Sequence, residues 1–245
     1  MKPPRIISRL DIKNENVVKG YQLEGWKTVG DPVKLAKKYY EDGVDEIVVL
    51  DSVASLFSRN KTLDIIDKCC NNIFIPIAVG GGIKSISDAR EILEAGADKI
   101  VINTAFVKNR NLIKEFVHIF GSQSIVLSIQ AKKIKDNWYV FSESGRENSG
   151  ISVLDWISEA EQKGIGEILI TFIDSEGLGK GFDIDLISKV KNITNLPIII
   201  GGGFLKVDHL LKVKHFNVSG VSIAQAFHNN LITANIIKNQ YILNE

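Results

Sequence analysis

The chain has 245 residues, 44% hydrophobic and 24% charged, which is the make-up of a folded globular protein and not of a disordered or fibrous one. Its 30 basic and 29 acidic side chains leave a net charge of +1, so no overall field draws it to nucleic acid or an anionic membrane, and any phosphate must be held locally. No run approaches the roughly 18 apolar residues of a membrane span, and the opening Met1 to Arg5 stretch lacks the apolar core of a signal peptide, so a cytoplasmic protein is expected.

In chain order, the first apolar, β-branched run covers Arg5 to Asp11 and leads into a long loop holding Lys19 and Gly20. Asp31 can cap a helix that takes Pro32 at its first position, and Gly43 can supply the left-handed exit. A second strand is predicted over Asp45 to Asp51. The following helix carries the neighbouring cysteines Cys69 and Cys70, whose adjacency disfavours a disulfide, and they read as reduced packing residues. A third strand, Phe74 to Val79, runs into Gly80-Gly81-Gly82, and after a helix ended by Gly96 a fourth covers Asp98 to Asn103. The fifth is Gln123 to Gln130. The sixth, Glu167 to Phe172, precedes a glycine-containing loop from Asp174 to Gly181 of the kind that closes over substrates. The seventh, Leu196 to Ile200, runs into Gly201-Gly202-Gly203, and the eighth covers Val218 to Ala224.

Eight strands alternating with helical segments are the signature of parallel βα units. The chain also repeats itself at a constant spacing of about half its length. Ile75-Pro76-Ile77-Ala78-Val79-Gly80-Gly81-Gly82 answers to Leu196-Pro197-Ile198-Ile199-Ile200-Gly201-Gly202-Gly203, Glu46 to Glu167, and Ile102 to Phe106 answers to Ile223 to Phe227. Two similar halves of four units each favour one closed (β/α)8 TIM barrel over residues 1–245, where a doubly wound open sheet would not require the repeat.

Each half carries a glycine-rich turn directly after a strand. Glycine lets backbone N–H groups approach a phosphate, and in each half a second loop one strand on, Asn103-Thr104 or Ala224-Gln225, can add donors. The alternative is that the glycines only permit tight turns. Two such turns related by the repeat favour phosphate sites at Gly81, Gly82, Asn103 and Thr104 and at Gly177, Gly202, Gly203, Ala224 and Gln225, hence a ligand with a phosphate at either end. Side chains at the carboxyl ends of barrel strands converge on the active site, and Asp11, Asp51, Asn103, Gln130, Thr171 and Asp174 fall there. Asp11 is the expected general acid or base, its carboxyl raised toward neutrality by shielding from water; a loop-capping aspartate is the plainer alternative. Asp51 could equally accept hydrogen bonds from a neighbouring loop. At the opposite ends of the strands lie Arg5, Glu46, Lys99 and Glu167, which could form a ring of ion pairs plugging the barrel floor, although spacing alone favours a stability device or solvated surface charges. His118, His209, His215 and His228 are scattered without metal-ligand spacing, so no metal or other cofactor is expected.

Leu10-Asp11, Val18-Lys19-Gly20, Gly30-Asp31-Pro32, Val79 to Ile83, Ala95 to Lys99, Ile102 to Ala105, Phe120 to Gln123 and Gly166 to Leu169, spread nearly end to end, resemble the cyclase subunit of imidazole glycerol phosphate synthase. The resemblance implies a glutaminase docked on the barrel floor in a heterodimer, with ammonia passing up the barrel. At the mouth the ammonia would convert a bisphosphorylated formimino-imidazole carboxamide ribotide into imidazole glycerol phosphate and aminoimidazole carboxamide ribotide, a step of histidine biosynthesis. It turns the floor charges Arg5, Glu46, Lys99 and Glu167 into an ammonia gate, gives Asp98 a place in the glutaminase interface, and makes Lys19, Asp51, Thr171 and Glu176 substrate-binding residues. Asp11 matches the first of the family's two catalytic aspartates. The second position is Gln130, and an amide orients a substrate without transferring protons as a carboxylate does. Phe172, Glu176, Leu178 and Gln225 also depart from the family's serine, aspartate, threonine and serine, and Arg9 replaces a small residue. These departures keep two alternatives open: a paralogue channelling ammonia into amidine or amide formation on a surface-polysaccharide nucleotide sugar, and a non-catalytic barrel that activates its glutaminase.

Overall fold

The computed structural model describes residues 3–52 and 59–243, so Met1 and Lys2 of the opening stretch lie outside the described residues. Eight parallel strands close into a barrel: β1 (Arg5–Lys13), β4 (Glu46–Asp51), β5 (Ile77–Gly80), β6 (Lys99–Ile102), β7 (Ile125–Ile134), β10 (Glu167–Phe172), β11 (Ile198–Gly201) and β12 (Gly220–Ile223). Closure comes from β7 pairing with β10 and β12 with β1, in registers such as Gln130 opposite Thr171 and Ser8 opposite Ile223. Expected strand positions hold to within a few residues. The third begins at Ile77 instead of Phe74, because Pro76 has no N–H for the ladder, and Phe74 is left 81% exposed.

The helices form where capping chemistry places them. Asp31 accepts the Lys34 N–H at 2.8 Å and Pro32 opens α1 (Pro32–Glu41), which buries Ala36 and Tyr39 against the sheet. Gly43 and Gly96 take the positive φ values their exits require. Cys69 is buried and Cys70 half-buried, both as free thiols; burial pushes Cys69 up to about 12 and Cys70 up to about 11, so neither is a ready nucleophile.

The long loop expected after the first strand is instead a β-ribbon. β1 runs two residues past Asp11 and folds back into β2 (Asn16–Tyr21), which pairs with β3 (Glu24–Gly30). The β2–β3 turn places Gln22 and Leu23 at φ 51° and 66°, a left-handed pair usually signalled by Asn-Gly and here made by residues that give no such signal. A second ribbon, β8 (Asn137–Ser142) and β9 (Glu147–Ser152), rises from the end of β7. Both extend the mouth of the barrel.

Strand alternation sorts the interior into levels. On β1 the side chains of Arg5, Ile7, Arg9 and Asp11 point along the axis, while Ile6, Leu10 and Ile12 join the larger core between sheet and helices. Ile7, Val48, Ala78, Val101, Val126, Leu169 and Ile199 make an apolar level of seven side chains, one per strand. The eighth strand offers Gly220, where a Cβ would come within 2.8 Å of Ile7 Cδ1.

Candidate active site

Below the apolar level the four floor charges pair with each other. Arg5 bridges Glu46 and Glu167, and Lys99 Nζ lies 3.3 Å from Glu46 and 2.8 Å from Glu167. The ring of ion pairs is therefore real, and the picture of solvated surface charges is not: Glu46 is 1% exposed. Burial raises the Glu46 carboxyl from its usual range even though Lys99 and Arg5 pull it down. Asp98, on the rim of the floor, accepts the Ile77 N–H at 2.8 Å and remains exposed.

Above the apolar level, Arg9 fills the axis. Its Nε and Nη2 both reach Asp11 Oδ1 at 2.8 Å and its Nη1 donates to Thr171 Oγ1 at 3.0 Å, all among buried side chains. Lys19, within β2, lies 3.7 Å from Asp11 Oδ2 and pairs closely with Glu176. Arg9, Asp11, Lys19 and Glu176 thus form a chain of alternating charge that closes on itself electrically. The expected upward shift of Asp11 is overturned. Burial does push the carboxyl up, but the Arg9 and Lys19 charges and the Arg9 hydrogen bond outweigh it and hold it below the ordinary range. An aspartate so held is a carboxylate at neutral pH, able to accept a proton or a hydrogen bond and unsuited to donating one.

A cavity of about 580 Å³ opens beside this network, a size suited to a small-molecule ligand. It brings together Asp11, Asp51, Gly81, Gly82, Asn103, Thr104 and Gln130. Gly81 is required there, since a Cβ would lie 2.2 Å from the Asp51 carbonyl oxygen and its φ is 101°. Asp51 accepts at 2.8 Å from the Oγ1 of Thr62, a residue of the helix Arg59–Cys70 and not of a neighbouring loop. Asn103 Nδ2 donates to the Phe141 carbonyl at 2.9 Å and the Thr104 hydroxyl accepts the Glu143 N–H at 3.1 Å, tying the loop after β6 to the second ribbon. Asn103 Oδ1 and Gln130 Oε1 are buried with no hydrogen-bond partner among the described residues, so both are available to a ligand.

The second glycine turn is not in that cavity. Gly202, Gly203, Ala224, Gln225, Gly177 and Glu176 line a separate pocket of about 10 Å³, and Arg9 is shared by both. Lys19 and Thr171 line neither pocket and adjoin them through their contacts with Glu176 and Arg9. Phe172 and Phe182 pack at 6.2 Å between centroids, and Phe182 packs on Phe204, which lines the smaller pocket.

Sequence reasoning assigned no site role to Arg9, or to Lys84, Lys108 and Arg146, cations that line the larger cavity. The first was legible, because residues two apart on a strand share a face and Arg9 must meet Asp11. Arg146 sits between the β8 and β9 strands, a ribbon that went unread. His228 was also passed over. Its Nδ1 meets the Tyr39 hydroxyl at 2.7 Å, and burial together with the nearby Lys19 charge pulls it down to about 4, so it is neutral at physiological pH. No group of three or more His, Cys, Asp or Glu among the described residues could hold a metal ion, and no described helix is long and apolar enough to cross a membrane.

A closed parallel barrel with a ligand-sized cavity and a buried carboxylate at the carboxyl ends of its strands defines a (β/α)8-barrel enzyme. A family profile described as histidine biosynthesis protein matches residues 5–233. The chain is 47% identical to the imidazole glycerol phosphate synthase subunit HisF of Legionella pneumophila over 85% of this chain and 99% of that protein. Proteins of the same name from Natranaerobius thermophilus and Clostridium botulinum strain Alaska E43 are 43% and 42% identical, covering 98% and 100% of this chain and 96% and 98% of theirs. The chain belongs to this family of synthase cyclase subunits.

Proposed function

We propose that the protein is the cyclase-type subunit of an imidazole glycerol phosphate synthase, using ammonia from a HisH-type glutaminase in the histidine pathway of the cytoplasm. The observation that carries this reading is axial. A paired ring of charges at the floor, a level of aliphatic side chains and a ligand-sized cavity holding Asp11 follow each other along one barrel axis. Small uncharged ammonia can cross the apolar level, whereas ammonium would have to leave its water behind. The glutaminase would dock on the floor around Asp98. Ammonia would emerge beside a substrate whose first phosphate lies on Gly81, Gly82, Asn103 and Thr104 and whose second lies on Gly177, Gly202, Gly203, Ala224 and Gln225. Asp11, held ionised by Arg9, accepts the proton that the attacking nitrogen sheds. Gln130 orients the substrate through its free amide oxygen, and Asp51 and Thr171 shape the cavity wall and the Arg9 position. Purified with its glutaminase, the protein should turn over the imidazole substrate with glutamine. Absence of turnover with both glutamine and ammonium salts would end this reading.

One pair of observations favours a second reading. Gln130 cannot transfer protons as a second aspartate would, and Arg9 ties down Asp11. A barrel that keeps the floor ring and loses acid chemistry at the mouth suits an ammonia-channelling paralogue supporting amidine or amide formation on a nucleotide-linked sugar. Restoration of histidine prototrophy to a strain lacking the cyclase would count against it.

A further inference from the structure

The two glycine cradles are related by the repeat, yet one opens into about 580 Å³ and the other into about 10 Å³, roughly the room of a single water. The small one is not small for want of polar groups. Arg9, 3% exposed, and the Ser222 hydroxyl, 3% exposed and without a hydrogen-bond partner among the described residues, both face it. What fills it is Glu176. Its carboxylate is buried, its Oε2 lies 3.0 Å from where a Cβ on Gly202 would stand, and its Oε1 is held by Lys19. Its backbone is pinned as well: the Gln22 N–H donates to the Glu176 carbonyl at 2.8 Å, and the ribbon lies so close over Gly177 that a Cβ there would meet the Gly20 oxygen at 2.5 Å.

We propose that Glu176 is an internal anion that occupies the second cradle of the free protein and competes with a ligand phosphate for it. This rests on the reading of both glycine turns as phosphate cradles. A phosphate entering beside Glu176 would meet a like charge within a few ångströms in a poorly solvated pocket, where repulsion is several times stronger than in water. With the carboxylate swung out, the same phosphate meets Arg9 and the freed Lys19, and the charge balance of the network is restored. Glu176 therefore sets selectivity: a singly phosphorylated ligand binds the first cradle without disturbing it, and only a ligand with a second phosphate at the right reach displaces it.

Isothermal titration of the full chain with inorganic phosphate reads this directly. The wild type should take up one equivalent, at the first cradle. Glu176→Ala should take up two, and so should Glu176→Gln, which keeps the volume and removes the buried like charge. Two equivalents of similar affinity in the wild type would overturn the proposal and leave the cradles standing. A single unchanged equivalent in both variants, each folded by circular dichroism, would overturn it too. No uptake by the wild type at millimolar phosphate would refute the cradle reading beneath it.

Discussion

Replacing Arg9 by methionine keeps most of the volume on the barrel axis while removing the two bonds to Asp11 Oδ1 and the bond to Thr171. Asp11 is then a fully buried carboxylate with only Lys19 at 3.7 Å. Removing one member of a buried ion pair costs about 3–5 kcal/mol because the remaining charge stays desolvated. For a chain of this size that is a fall in Tm of roughly 6–20 °C at pH 7.5. The pH dependence has a definite sign. In the wild type the Asp11 carboxyl lies below its ordinary value of 3.8, so its contribution is complete above that value and is lost only as the pH falls through the folded-state value; pH 7.5 and pH 5 are equivalent. In Arg9→Met, burial is opposed chiefly by Lys19 and lifts the carboxyl, so the penalty is full at pH 7.5 and relaxes as the pH falls toward the raised value. Thermal unfolding followed by circular dichroism at the two pH values should show the gap between variant and wild type narrowing at the lower one. An equal gap at both, or one under about 3 °C at pH 7.5, would refute the picture of Asp11 as a carboxylate held down by Arg9.

Asp11→Asn removes the proposed proton acceptor and should lower output of the glutaminase-coupled reaction by about 10²- to 10⁴-fold in a steady-state assay, whereas a non-catalytic barrel would leave it unchanged. Gln130→Asp supplies a second carboxylate at the cavity and should raise kcat for the imidazole substrate by about tenfold or more; an unchanged kcat would mean that proton transfer at that position does not limit the rate. Gly81→Ala drives a Cβ toward the Asp51 backbone at a φ of 101° and should cost about 1–3 kcal/mol in urea unfolding, with wild-type stability as the contrary result. His228, pulled down to about 4, should stay neutral from pH 5 to 8 in an NMR titration, and a midpoint above 6 would contradict its burial beside Lys19.

Much of the barrel was legible because its determinants are local. Period-2 apolar runs with glycine exits give strand positions, and the half-chain repeat gives closure. The floor charges fall at strand feet where alternation turns them toward the axis. The ribbons were not legible, because Gln22-Leu23 and Glu143-Ser144 take the left-handed conformations of their turns in place of the Asn or Gly that usually announces them. Nor was the sign of the Asp11 shift: shielding from water was foreseen, but the sign belongs to Arg9 and Lys19, and it holds only because Thr171 and Glu176, from the other half of the chain, fix where those cations sit.

By itself the sequence determined the architecture, the family and part of the set of groups at the mouth, since each follows from residue type, spacing and repetition along the chain. Tertiary structure alone decided that two equivalent-looking glycine turns differ, one open and one filled. The cause is a single carboxylate, Glu176, brought against Gly202 and Lys19 by the closing of the barrel. Electrostatic energy depends on distance through space, and only closure sets that distance.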